Sequence, residues 1–441
     1  MEKPENTVAS PEAANLAPLT HSRRSFVSMA GLAGAALALP SHLHATVNAT
    51  GYLGPGFEVA ASLYAWELHD EGIEKILDNL QSMAAVNSVY LVALMHYEKR
   101  PLTSPTFPHN PVRQTWQAED SCVYWHPDMK LYGRIKPQLS SFDWLNQTDW
   151  LNVLVKAARK RGLRTGAEIS HTVISLEEGQ GPLRDCVQED IHGNPRKVAG
   201  RGYPICPNSP DAQKYVLALF SDLTRNYDVD FVQTCLVPFM PGGPDTGGCF
   251  CGSCMKAAKQ HGIDLEKIRT VLLTNPQAEP QAKQWQSFRE ASLIRFYKIM
   301  HDGVHSIRPR IEFRFNDAYF GPERFGMDLA GLTKVWDSIR NSDYSGQKAG
   351  DPAELNHRRE WFTSERKVVG PNFPLIAGLA VRPKMTPELI HQAIDIGLDI
   401  NAVGISLGHY DGAEFPMLRA VREELAAKKI YVPVTLAKKQ A

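Results

Sequence analysis

The sequence has no excess of charge of either sign. Lys and Arg total 48, Asp and Glu total 48, and the formal net charge is zero with neutral His. Without a basic surplus, long-range attraction to nucleic acid or to an acidic membrane surface is not expected to drive binding. We therefore expect no nucleic-acid partner.

Three further features are lacking: a transmembrane segment, a Gly-rich phosphate-binding fingerprint after any strand, and a short sequence repeat. The apolar stretch at residues 28–40 is shorter than the roughly 20 residues of a membrane span, and no later segment reaches that length. These absences argue against stable membrane insertion, a dinucleotide-binding sheet and a solenoid. With 43% hydrophobic and 22% charged residues, the chain is instead expected to fold around a large core.

The N-terminus has the layout of an export signal. Arg23 and Arg24 precede Phe26 and a short apolar run, and Ala49 closes a stretch of small residues suited to cleavage. The alternative is a buried Ala-rich helix. The pattern predicts a twin-arginine signal and polar leader over residues 1–49, the twin-arginine export machinery as a partner, and a periplasmic or secreted mature protein.

Apolar or β-branched runs alternate with helical patterns along the rest of the chain. The predicted strands are Phe57–Tyr64, Ser88–Met95, Arg164–Ile169, Phe231–Leu236, Ile311–Phe315, Val335–Ile339, Leu375–Val381 and Ala402–Leu407. Eight such units predict an α/β fold, a (β/α)₈ TIM barrel, with a doubly wound open sheet as the alternative. We expect one barrel domain over residues 50–432 and a tail over 433–441.

The barrel domain is longer than this fold requires. Removing residues 1–49 leaves about 390 residues, against about 250 in a typical barrel. The surplus falls in the loops after strands two, three and four, at about residues 97–147, 172–208 and 237–284. These loops are expected to form the wall of a binding cleft.

Polar and aromatic residues follow the predicted strands, where a TIM barrel carries its active site. The candidate substrate-binding residues are Trp66, His96, Tyr97, His171, Gln233, Arg314, Asn316, Arg340, Asp343, Arg382, His409 and Tyr410. Aromatic rings cover the C–H faces of a sugar, and polar side chains bond its hydroxyls. The pattern therefore predicts a carbohydrate substrate.

Cleavage of a glycosidic bond needs two carboxyl groups about 5 to 9.5 Å apart. We predict Glu168 as the general acid and Asp317 or Asp337 as the base or nucleophile. Each has a structural alternative: a salt bridge for Glu168, a turn cap for Asp317, and neutralisation of Arg340 for Asp337.

Three thiols lie within six residues in a Gly-rich segment: Cys249, Cys251 and Cys254. Thiolates at this spacing suit tetrahedral zinc, which needs a fourth ligand. Cys206, Cys235 and His261 are candidates, of which Cys206 is preferred. The alternatives are a disulfide with a free thiol, or inert thiols. We predict a structural zinc ion and no organic cofactor.

The segment Ile205–Pro210, the helix that follows it, and the Cys-x-Cys-x-x-Cys loop after strand four together resemble exported glycoside hydrolases with a TIM barrel. The resemblance implies a hydrolase of O-glycosyl bonds. One departure stands out, because the wider clan carries an acid near the end of strand four, where this chain reads Gln233-Thr234-Cys235. Either the acid pair lies on other strands, or the chain acts on sugars by another chemistry.

Two other functions stay open. The first is a metal-dependent sugar lyase, isomerase or epimerase, in which Glu168, His171, Asp317 and His409 hold a divalent ion. The second is a carbohydrate-binding barrel without catalysis.

Overall fold

The computed structural model describes most of the chain after the leader. The described residues are 56–95, 107–116, 122–170, 173–174, 181–197, 202–234, 239–317, 321–341, 352–379, 381, 385–430 and 432. The predicted export signal and the tail lie outside these ranges. None of the helices in the described ranges combines the length and the apolar character that a membrane crossing requires.

Eight parallel strands close into a barrel. They are β1 (Glu58–Leu63), β2 (Ser88–Met95), β3 (Arg164–Ile169), β4 (Phe231–Thr234), β5 (Glu312–Asp317), β6 (Ser338–Asn341), β7 (Leu375–Gly378) and β8 (Gly404–His409). Each strand pairs with its neighbour along the chain, and β1 pairs with both β2 and β8, which closes the sheet. The predicted TIM barrel is confirmed.

Helices surround the barrel and fill the loops. They are α1 (Ala65–Glu71), α2 (Ile73–Ala84), α3 (Asp143–Asn146), α4 (Trp150–Lys160), α5 (Pro210–Asn226), α6 (Gly252–Gln260), α7 (Leu265–Thr274), α8 (Glu279–Ile307), α9 (Leu329–Leu332), α10 (Pro352–Val369), α11 (Pro387–Asp399) and α12 (Phe415–Ala427). Proline starts α5 and α11, and the side chains of Ser209 and Thr386 cap them by accepting a backbone N–H.

The three long loops carry small elements of their own. Cys122–Val123, in the loop after β2, adds an antiparallel strand to the barrel sheet. Val173–Ile174 pairs with Tyr203–Pro204 in the loop after β3. The loop after β4 contains α6 and α7. All three loops leave the carboxyl ends of their strands, so they belong to the face where this fold carries its active sites.

Strand six begins later than predicted. The sequence indicates a strand over Val335–Ile339, whereas β6 starts at Ser338. Val335 and Trp336 instead donate their backbone N–H groups to the carbonyl of Leu332, which extends the turn after α9. Their apolar character reflects burial and not strand pairing. As a result, Asp337 precedes the strand.

The amino-terminal part of the barrel interior is charged. Inward side chains of β1, β3 and β5 form a buried cluster of two acids and two guanidinium groups, the base cluster: Glu58, Arg164, Glu312 and Arg314. The ring of Phe231 covers it, with Arg314 4.1 Å from the ring centroid. Gly166 leaves the space for that ring, because a Cβ there would lie 2.2 Å from it.

Candidate functional site

Glu168 lies in the barrel interior near the carboxyl end of β3. Its side chain is 5% exposed. Gln233 on β4 donates its side-chain N–H to the Oε2 atom of Glu168. Asn316 Nδ2 lies 3.4 Å from the same oxygen, and Arg340 Nη1 lies 3.8 Å from it. The structure therefore brings together one predicted acid and three predicted binding residues from four consecutive strands.

The surroundings of Glu168 favour its protonated form. Burial raises the pKa of Glu168 above its ordinary value, while Arg340 and the amides of Gln233 and Asn316 act in the opposite direction without cancelling it. A carboxylic acid with a raised pKa keeps its proton closer to neutral pH, as a general acid requires. Glu168 is therefore suited to protonate a leaving group.

His409 ends β8 with both ring nitrogens in hydrogen bonds. Its Nδ1 lies 2.7 Å from the hydroxyl of Ser62, and its Nε2 lies 3.2 Å from the hydroxyl of Tyr64. The ring also stacks on Tyr64, with the centroids 4.7 Å apart. Sequence reasoning missed Ser62 and Tyr64, although Ser62 follows the alternation that points Glu58 and Ala60 inward.

Ser406 is a third residue near the carboxyl end of the barrel that sequence reasoning missed. Its hydroxyl accepts a hydrogen bond from Arg340 Nε at 2.7 Å. The same guanidinium lies 5.5 Å from the ring centroid of Tyr90. These contacts hold the guanidinium of Arg340 in place beside Glu168. The signal in the sequence was again the two-residue alternation along a buried strand.

Three predicted binding residues have structural roles. Arg314 is fully buried in the base cluster, where it pairs with Glu58 and Glu312. Trp66 is also fully buried, and its ring stacks 4.1 Å from that of Tyr64, so it is core packing and not a sugar platform. These two predictions are wrong, because strand order alone does not show how deep a side chain lies.

Tyr410 is a third correction. Its side chain is buried outside the barrel, where the hydroxyl accepts a hydrogen bond from Asn79 Nδ2 at 2.9 Å and donates one to Glu71 Oε2 at 3.2 Å. The ring packs 4.3 Å from that of His109. Tyr410 therefore fastens the turn after β8 to α1 and α2.

Asp337 lies at the opposite end of the barrel from Glu168. Its Oδ2 accepts the backbone N–H of Phe313, the second residue of β5, at 2.7 Å. The same oxygen lies 3.0 Å from His305 Nε2. The predicted catalytic role rested on the strand bounds that the structure corrects, so Asp337 is not part of the site around Glu168.

The remaining predicted residues lie wholly or partly outside the described part of the chain. His96, Tyr97, His171, Asp343 and Arg382 lie outside the described residues. Asp317 is described for its backbone only, as the last residue of β5, in register with Asn341 of β6.

The fourth cysteine joins the other three. The Sγ atoms of Cys206, Cys249, Cys251 and Cys254 all lie within 4.8 Å of one another, and all four residues are buried. The Sγ of Cys206 is 3.5 Å from that of Cys254 and 3.4 Å from that of Cys251. Because Cys206 follows β3 and the others follow β4, this thiol cluster joins two of the long loops.

The donors around the thiol cluster suit sulfur in its thiolate form. Backbone N–H groups point at the Sγ of Cys249 and Cys206, and Asn208 Nδ2 lies 3.3 Å from the Sγ of Cys254. Burial raises the pKa values of Cys206 and Cys254, whereas hydrogen bonds from the other three cysteines lower the pKa of Cys251. Holding all four buried groups as thiolates therefore needs a cation among them. The set fits tetrahedral zinc.

Arg289 supplies positive charge beside the thiol cluster. It is fully buried, where its guanidinium donates to the carbonyls of Met240 and Arg324. Burial lowers the pKa of Arg289 to about 9, and the nearby Cys249 and Cys254 act in the opposite direction. A zinc ion with four thiolates carries two negative charges, which this guanidinium would partly offset.

Known structures share this fold. The glycoside hydrolase domain of PgaB (BpsB) from Bordetella bronchiseptica matches 87% of this chain and all of that domain, with a TM-score of 0.59 and 14% identity. α-L-Fucosidase isoenzyme 2 from Paenibacillus thiaminolyticus gives a TM-score of 0.56 at 13% identity. β-Galactosidase from Marinomonas ef1 gives 0.54 at 11%. All three are glycoside hydrolases.

This likeness establishes the fold and not the reaction. The match covers 85% of this chain and 50% of the fucosidase, and 86% of this chain and 61% of the β-galactosidase. The chain therefore spans half the length of the first enzyme and about three fifths of the second. No protein-family model matches the sequence, and no curated protein matches it. The assignment of an activity therefore depends on the site itself.

Proposed function

We propose that this protein is a glycoside hydrolase that acts on a neutral carbohydrate at the carboxyl end of its barrel. The observation that carries the proposal is Glu168, a buried carboxyl with a raised pKa among hydrogen-bond donors. It lies in a TIM barrel similar to those of known glycoside hydrolases. The zero net charge of the chain suits an uncharged substrate.

In the proposed reaction, Glu168 protonates the glycosidic oxygen as the bond to the leaving sugar breaks. Gln233, Asn316 and Arg340 position its carboxyl group and stabilise the carboxylate that remains after the proton is transferred. Asp317 is the proposed second carboxyl, acting as nucleophile or as the base that activates water. The wider clan carries an acid near the end of strand four, whereas the acid proposed here lies on β3, beside Gln233 of β4.

Metal-dependent sugar chemistry at the carboxyl end of the barrel has less support than hydrolysis by carboxyl groups. Both nitrogens of His409 are in hydrogen bonds with the hydroxyls of Ser62 and Tyr64, so a metal would have to displace one of them. Within the described part of the chain, neither group of side chains that could hold a metal contains Glu168 or His409. Hydrolysis by carboxyl groups needs no such displacement.

We also propose that the thiol cluster holds a structural zinc ion that fixes the two loops at the barrel mouth. No further chemistry is assigned to it, since all four positions of a tetrahedral ion would be filled by sulfur. Export through the twin-arginine pathway remains a proposal based on Arg23, Arg24 and the apolar run that follows them. That pathway would deliver a folded protein with its metal in place to the periplasm or beyond.

The assignment of Glu168 can be tested with Glu168→Gln. Activity would be screened on aryl α-L-fucosides, aryl β-D-galactosides and natural oligosaccharides. Loss of a general acid should lower kcat/KM by about 10² to 10⁴-fold on oligosaccharides. The loss should be smaller on aryl glycosides, whose leaving groups need less protonation. Asp317→Asn should be impaired on both kinds of substrate.

Asp337→Asn is the matched control, because it changes a carboxyl to an amide at the other end of the barrel. When activity is normalised to the amount of folded protein, this variant should be as active as the unmodified enzyme. Full activity of Glu168→Gln on oligosaccharides would exclude Glu168 as the acid. Oligosaccharide binding without any product from the unmodified protein would instead favour a binding role.

A further inference from the structure

Two histidines and one aspartate converge at the amino end of the barrel. His301 and His305 are four residues apart near the end of α8, so they share one face of the helix. Their Nε2 atoms lie 3.9 Å and 3.0 Å from the Oδ1 and Oδ2 atoms of Asp337, respectively. One ligand atom from each residue lies within 4.8 Å of the others.

The Nδ1 atom of each ring faces a hydrogen-bond acceptor on the side away from Asp337. His305 Nδ1 lies 3.1 Å from the carbonyl oxygen of Pro309, which can only accept. His301 Nδ1 lies 3.2 Å from the carboxylate of Asp302. A neutral imidazole held in this way has its proton on Nδ1 and a lone pair on Nε2. Both lone pairs then face the carboxylate of Asp337.

With both rings neutral, three acceptors point at one another, and they repel unless a proton or a metal ion lies between them. The backbone N–H of Phe313 satisfies one lone pair of Asp337 Oδ2 and leaves the others directed at the imidazoles. Histidines that bind a metal usually donate their other N–H to a carbonyl or a carboxylate, which is the arrangement of both rings here. The side chains of His301, His305 and Asp337 are 27%, 22% and 15% exposed, so an ion and its water ligands could reach them.

We propose that His301, His305 and Asp337 bind a divalent transition-metal ion of the zinc class. Imidazole nitrogen and carboxylate oxygen are both ordinary ligands of zinc, and water would complete the coordination. The ion would tie the last turns of α8 to the segment that enters β6. Because this face of a TIM barrel serves stability and not catalysis, the expected effect is on unfolding and not on turnover.

The test measures bound zinc and thermal unfolding of the full mature chain. Unmodified protein dialysed against Zn²⁺ and then against metal-free buffer should hold one more zinc ion per chain than His301→Ala/His305→Ala. Added Zn²⁺ should raise the Tm of the unmodified protein and leave that of the double variant unchanged. His391→Ala is the control, because His391 is a partly exposed histidine beside a carboxylate, Glu424. This variant should behave like the unmodified protein.

A second variant guards against misfolding. The amide of His305→Gln can donate a hydrogen bond to Asp337 but lacks the imidazole ligand, so this variant should fold and lose the extra zinc. Cys206→Ser should keep it, because the thiol cluster is a different site. Equal zinc content in the unmodified protein and His305→Gln, or the same Tm with and without Zn²⁺, would overturn the proposal in favour of a metal-free hydrogen-bonded pair.

Discussion

Arg314→Met should be among the most damaging substitutions in the barrel. Arg314 donates to both oxygens of Glu58, at 3.0 Å and 2.9 Å, and to Glu312 at 2.8 Å. The acids and guanidinium groups of the base cluster balance, so removing Arg314 leaves one buried carboxylate without compensation. Loss of one partner of a buried ion pair costs about 3–5 kcal/mol. We expect a decrease of that size in the free energy of unfolding at pH 7.

The pH dependence gives the sharper test. In the unmodified protein, burial acts to raise the pKa of Glu312, but the guanidinium groups of Arg164 and Arg314 lower it by more. The pKa of Glu312 therefore falls to about 2. This contribution to stability is complete above the unfolded pKa of about 4.3 and is lost as the pH falls towards 2. Without Arg314, burial should raise the carboxyl pKa values above the unfolded value. The variant should then gain stability, relative to the unmodified protein, as the pH is lowered from 7 to 5.

The assay is urea unfolding followed by tryptophan fluorescence at pH 7 and pH 5. Arg359→Met is the matched control: Arg359 pairs with Asp399 on the surface, and such pairs contribute only about 0–1 kcal/mol. Arg314→Met/Glu58→Gln restores neutrality in the base cluster and should recover part of the loss. A deficit below about 1 kcal/mol, or one that grows on acidification, would refute the reasoning.

Two further substitutions test the packing and the thiol cluster. Gly166→Ala should lower the free energy of unfolding in urea by about 1–3 kcal/mol, because the added Cβ would lie 2.2 Å from the ring of Phe231. Gly166→Ala/Phe231→Leu should recover part of this loss. An unchanged unfolding midpoint in Gly166→Ala would show that the ring moves freely. Cys206→Ser should reduce the zinc content of the thiol cluster, measured by elemental analysis, whereas Cys122→Ser should not. Equal zinc content in both would mean that Cys206 is not a ligand.

Local signals in the sequence were sufficient for most of the fold. Ser88–Met95 and Arg164–Ile169 were predicted with the bounds that the structure shows, and the helix expected after Ile205–Pro210 is present as Pro210–Asn226. Strand alternation, a capping serine and a proline at the helix start each act within a few residues. The error at β6 arose because Val335 and Trp336 lie in a buried turn. A short apolar run in a sequence indicates burial, but it does not show whether the residues form a strand or a turn.

The site depended on depth within the barrel, which the sequence does not contain. Arg314 and Asn316 both point inward from β5, yet one belongs to the base cluster and the other contacts Glu168. The stagger between strands decides which inward residues share a layer, and it is set only when the sheet closes. The same holds for Asp337. Because β6 starts three residues later than predicted, Asp337 lies before the strand, at the end of the barrel opposite Glu168.

The sequence alone therefore determined the succession of strands and helices, the three long loops, and the types of side chain available at the strand ends. The tertiary structure decided which of them meet. It set Glu168 beside Gln233, Asn316 and Arg340, brought Cys206 to thiols that lie more than forty residues later in the chain, and placed Asp337 beside two histidines. The physical reason is that alternation, caps and turns are short-range, whereas contacts across a closed barrel join residues far apart in sequence.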